Sequence, residues 1–133
     1  MSVPAYKRSE NVFQVLTNAE KLYKEIIRIS KTEKLIPKRY MKLLGFKIVE
    51  DARDVLESIA IANEMDLTDE YEKVQRREYQ KKTKISLIKM EQDIKINLEF
   101  VGSSIENYET SLSLMSDIKK QLSNWTKSDF ERE

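Results

Sequence analysis

The sequence predicts an all-α protein, an up-down-up-down four-helix bundle. Apolar residues recur at steps of three and four almost from end to end, the period of an amphipathic helix. The 133 residues contain only two Gly and two Pro, too few breakers to interrupt more than a handful of long helices. Hydrophobic residues make up 40% and charged residues 35%, which supplies one core and leaves polar outer faces. A chain of this length is one domain, so residues 1–133 read as a single bundle with helices over about 9–31, 38–64, 69–101 and 104–127.

The first helix carries Val12, Val15, Leu16, Ala19, Leu22, Tyr23, Ile26 and Ile29 within an arc of roughly 160°. Ser9 is placed as its N-cap. Pro37 bars Ile36 from the α region and suits the first position of the second helix. That helix presents Met41, Leu44, Ile48, Ala52, Val55, Leu56, Ile59 and Ala62, with Gly45 inside it where two helices pack closely. Thr68, followed by Asp69 and Glu70, reads as the N-cap of the third helix. The second half of the third helix is apolar on two arcs. Ile85, Ile88 and Ile96 form one, and Leu87, Met90, Ile94, Leu98 and Val101 form the other. One bundle seam does not need both, so a second buried contact, with another subunit, is expected. Gly102 ends this helix, and Ser103 or Ser104 starts the fourth. Ile105, Tyr108, Leu112, Met115, Ile118, Leu122 and Trp125 form its seam, and the tail after Ser128 is expected to fray.

The chain has no His and no Cys, which removes the usual zinc ligands, the Ser-His and Cys-His nucleophiles and any disulfide framework. Two isolated glycines cannot form a phosphate-cradling loop. Glu50, Asp51 and Asp54 read as a solvated helix face rather than an acid–base site. The expectation is a protein that is not an enzyme, with no cofactor, no metal and no small-molecule substrate. No apolar run is long enough to span a membrane, and the start MSVPAYKRSE lacks the apolar stretch of a secretory signal. A cytoplasmic protein is expected.

A net charge of +1 conceals opposed blocks. Residues 1–49 carry +7, residues 50–72 carry −8, and residues 73–84 carry +5. Such blocks pair within the protomer, meet a neighbouring subunit, or meet a charged partner. One basic cluster surrounds the Pro37 corner, with Lys38, Arg39 and Lys42 at its centre and Lys34 and Lys47 beside them. Another lies early in the third helix. There Lys73, Arg76, Arg77, Lys81 and Lys84 share an arc of about 140° while Lys82 points away. An arc of this kind can follow a phosphate backbone, or it can be a solvated face or pair with the acidic block. Lys38, Arg39, Lys42, Lys73, Arg76, Arg77, Lys81 and Lys84 are therefore the candidate binding residues. Tyr71, Tyr79, Tyr108 and Trp125 stand at helical spacing and read as core and interface packing rather than a ligand box.

Several stretches together resemble a known family. They are the opening MSVPAYKR, the run VFQVLTNAEKLYKEIIRIS, the corner LIPKRYMKLLGFKIVEDARDVLESIAIAN and the closing NWTKSD. The corner quartet Pro37-Lys38-Arg39-Tyr40, the pair Ala62-Asn63 and the late Trp125 are the most specific parts. Over about residues 3–129 the chain resembles the accessory variability determinant proteins of bacterial and phage diversity-generating retroelements. These are relatives of the four-helix-bundle proteins encoded in intervening sequences of bacterial ribosomal RNA. The resemblance implies a ring-shaped homopentamer of bundles that binds the element's reverse transcriptase and its RNA or cDNA, supporting mutagenic retrohoming without catalysis of its own. By position, Lys38 and Arg39 match the family's basic pair after the corner proline. The familiar members are strongly basic and this chain is nearly neutral. The alternative is a purely structural oligomeric bundle whose charge blocks join subunits, without nucleic-acid binding.

Overall fold

The computed structural model describes residues 5–132, with side chains from Val12 to Glu131. Residues 1–4 of the opening motif and Glu133 lie outside the described residues. Four helices follow in order: α1 (Ala5–Ser30), α2 (Phe46–Glu64), α3 (Glu70–Val101) and α4 (Glu109–Arg132). Each packs on its neighbours in antiparallel fashion. Asn18 of α1 donates to Gln121 of α4, Ser58 of α2 meets Thr83 of α3, and Lys119 of α4 pairs with Glu91 of α3. The four-helix bundle is therefore as expected.

The apolar stripes close into one core. Val15, Ala19, Leu22, Ile26 and Ile29 of α1 meet Ile48, Ala52, Val55, Ile59 and Ala62 of α2, with Leu87, Met90 and Ile94 of α3 and Met115, Ile118, Leu122 and Trp125 of α4. Tyr108 and Trp125 are buried and Tyr79 packs against the core, whereas Tyr71 is exposed. Ile105, placed on the fourth seam from the sequence, is also exposed, because a 3-10 turn over Ile105–Tyr108 precedes α4 and turns it outward. Buried Asn97 donates to the Leu35 carbonyl (3.0 Å) and to Tyr108 Oη (2.8 Å), tying the α1–α2 connection to the far end of α3. Burial pushes the Tyr108 hydroxyl up to about 12.

The boundaries differ from expectation at several places. Ser9 falls inside α1, which begins at Ala5. The N-cap of α3 is Asp69, whose carboxylate accepts from the amides of Tyr71 and Glu72, while Thr68 donates to Asp66 instead. The second helix does not run unbroken from residue 38. A 3-10 turn over Lys38–Tyr40 and a π turn over Met41–Gly45 precede α2. A Cβ on Gly45 would stand 2.1 Å from Met41 Sδ and 2.8 Å from Ile36 Cγ2, so the close approach lies within this corner rather than between two long helices. Gly102 caps α3 in the left-handed region, at φ 72°, which glycine adopts without Cβ strain.

α2 and α3 are the most closely packed pair, and small residues such as Ala52, Ser58, Thr83 and Ser86 allow the approach. Asp51 is buried in this interface beside Asp93, with Lys47 at 3.5 Å. Burial pushes the Asp51 carboxyl up to about 7. The hydrogen-bonded Asp93 carboxyl adds to the rise and Lys47 opposes it. The folded chain thus holds this proton more tightly than the unfolded chain, whose carboxyl titrates near 3.8. The associated stability is fully present below that value, declines as pH rises toward 7, and is lost above it. Asp51→Asn removes the titration and is expected to raise the melting temperature at pH 8, with the gain shrinking at pH 5. Thermal melts by circular dichroism at the two pH values check this.

Candidate nucleic-acid interface

α3 and α4 are the least closely packed neighbours in the bundle, because the face α3 turns toward the last turns of α4 is polar. Arg76 and Gln80 occupy it, both buried. A charge in such a place needs a partner. Arg76 Nε donates to Asp129 Oδ2 at 2.7 Å and its Nη2 to Asp129 Oδ1 at 3.1 Å, a bidentate pair. Gln80 donates to the same carboxylate at 2.8 Å, and Arg76 Nη1 also reaches the Met65 carbonyl at 3.0 Å. The guanidinium stands 5.1 Å from the Trp125 ring centre. This network holds the end of α4 against α3 and against the α2–α3 turn.

Two expectations are corrected here. Arg76 is not an exposed binding residue; it sits at the edge of the predicted basic arc, on the side that α4 covers. The tail after Ser128 does not fray: α4 continues to Arg132, with Ser128 and Asp129 buried. Asp129 escaped the sequence reading, yet it stands four residues after Trp125 and so on the same seam. A carboxylate at a seam position signals a buried cation.

Beside this clamp lies a groove of about 830 Å³ between α3 and α4. Ile88, Leu122 and Phe130 give it an apolar floor. Arg77, Lys81 and Lys84 line it from α3, and Lys119 and Lys127 line it from α4, with no carboxylate among the lining residues. Lys119 pairs with Glu91, and the Arg77 guanidinium lies 4.7 Å from the Phe130 ring centre. Lys81, Lys84 and Lys127 are exposed and carry no ion pair among the described residues. The α4 half of this surface was absent from the sequence reading, since nothing local says which flank of α4 faces the α3 arc.

The remaining candidates are placed elsewhere. Lys73 is half-buried and pairs with Glu70 at 3.5 Å, outside the groove lining. Lys38, Arg39 and Lys42 are exposed around the Pro37 corner, with the Arg39 guanidinium 5.0 Å from the Tyr40 ring centre. That corner adjoins Asn97 of α3, whereas the α3 cations of the groove run from Arg77 to Lys84, so they lie about 20 to 30 Å from the corner along the helix. Three carboxylates of the acidic block are paired locally, in Lys47–Asp51, Arg53–Glu57 and Glu70–Lys73. Through Glu70, this block reaches Lys73 of the predicted basic arc.

Among the described residues, no three His, Cys, Asp or Glu side chains gather as metal ligands would, and no helix is long and apolar enough to cross a membrane. Among the described residues, Asp51, beside Asp93, is the carboxyl with the strongly raised value, and neither lines the α3–α4 groove. No protein-family model matches the chain, and no curated protein or solved structure is significantly similar to it.

Breaking a buried ion pair from one side strands the other charge and costs about 3–5 kcal/mol. Asp129→Ala is therefore expected to lower stability by that order in urea unfolding. Replacing both partners with apolar residues, Arg76→Met with Asp129→Leu, is expected to restore most of the loss. A loss below about 1 kcal/mol in the single variant would contradict the clamp.

Proposed function

We propose that this protein is a non-catalytic nucleic-acid-binding bundle, an accessory protein of a diversity-generating retroelement that holds template RNA or cDNA for a reverse transcriptase. One observation carries the binding part of the reading: cations from two helices converge on one groove that no carboxylate lines. A phosphate chain laid there releases condensed counterions, which drives association even when the whole molecule is nearly neutral. The retroelement context rests on the resemblance of the Pro37 corner and the closing NWTKSD motif. Lys38, Arg39 and Lys42 supply a separate basic surface at the opposite end, suited to the polymerase or to a more distant part of the same strand.

The test is RNA binding across a salt series. The substitutions Lys81→Glu, Lys84→Glu and Lys127→Glu, made together with Arg76 left intact, are expected to abolish binding at moderate salt. They should flatten the logarithmic salt slope by about two to three. Unchanged affinity and slope in that variant would defeat the groove as the phosphate site.

Self-association belongs to the same reading. Val74, Ile85 and Ile96 stand exposed on α3, away from its core face and outside the groove lining. This is the over-wide apolar surface anticipated from the sequence, and a ring of five copies is what the resemblance implies. Ile85→Glu with Ile96→Glu is expected to yield a helical monomer by light scattering where the native chain has the mass of about five protomers. A native monomer would remove the ring from the proposal.

A further inference from the structure

We propose that the α3–α4 groove takes a single strand rather than a duplex, with a base packed on Phe130. This inference rests on the nucleic-acid reading above and specifies the ligand of that site. The floor is the discriminating feature. Ile88, Leu122 and Phe130 share the groove lining with the α3 and α4 cations. A duplex presents charged backbone to such a surface and keeps its bases stacked inside. Its phosphates would meet the cations but leave the apolar floor in contact with charge. A single strand resolves both demands, because it sets phosphates on the lysines and turns bases inward.

Phe130 is the natural platform. It is the one aromatic residue of the groove lining, it is 59% exposed, and the Arg77 guanidinium lies 4.7 Å from its ring centre. An aromatic ring with a guanidinium beside it offers a planar surface that accepts any base, since every base has a π face. The lined stretch runs from Arg77 to Ile88, a rise of about 16 Å. That is about five phosphates at the spacing of about 3.4 Å per nucleotide of a stacked strand. Of the cations that line it, Lys81, Lys84 and Lys127 carry no ion pair among the described residues.

The experiment is fluorescence anisotropy with a short unstructured RNA, free or annealed to its complement, on the native protein, Phe130→Ala and Phe130→Trp. Native protein is expected to favour the single strand at least tenfold. Phe130→Ala should lose roughly tenfold for the single strand with little change for the duplex, the size of one lost stack, and Phe130→Trp should retain affinity. Circular dichroism confirms that both variants remain helical. Equal affinity for duplex and single strand, or a Phe130→Ala variant within about twofold of native, overturns this inference while leaving a salt-dependent duplex site, and with it the broader reading, in place. Binding of neither RNA overturns both. Binding of anionic vesicles or an acidic helical peptide instead of RNA does the same.

Discussion

The buried pair of Arg76 and Asp129 is the constraint on which the α3–α4 end of this bundle depends. A guanidinium cannot be left uncharged in a protein, so burying it fixes where a carboxylate must be. That carboxylate lies 53 residues later, and reaching it keeps the last turns of α4 helical and docked. Lys127 and Phe130 flank Asp129 in sequence, and both reach the groove because the clamp sets the phase of the helix around them. The same clamp adds polar contacts between α3 and the end of α4, beside the apolar core that both helices share. A groove remains open beside it.

The rest of the molecule shows the contrast. α2 and α3 approach closely through Ala52, Ser58, Thr83 and Ser86, and the interface leaves so little water around Asp51 that its carboxyl titrates near neutrality. Three acids of the block, Asp51, Glu57 and Glu70, pair with cations three or four residues away, contacts worth only tenths of a kcal/mol each where they are exposed. Lys81 and Lys84 line the groove and carry no ion pair among the described residues. A charge balance close to zero is compatible with a strongly cationic groove because the compensating acids are held elsewhere.

The long helices were legible because their apolar period is unbroken from Val12 to Ile29 and from Ile48 to Ala62, and Gly102 marked a helix end that only a residue tolerant of positive φ can make. The π turn was not legible. Its geometry is set by Gly45 packing against Met41 and Ile36, a contact that local periodicity does not encode. Thr68 and Asp69 are both good caps, and the side chain of Asp66 decided between them by taking Thr68 into its own turn. Half of the candidate site was visible as the α3 arc. Arg76 was misplaced because it lies at the edge of that arc, where only the position of α4 separates buried from exposed. Lys119 and Lys127 were missed for the same reason, since their role arises from which flank of α4 faces α3.

The most direct test of the groove as the nucleic-acid site is photocrosslinking of RNA carrying 4-thiouridine, followed by peptide mass spectrometry on the full chain. The account predicts crosslinks within residues 77–88 and 119–130, the two lining segments. Crosslinks confined to the corner of Lys38, Arg39 and Lys42, with none in those two segments, would contradict it.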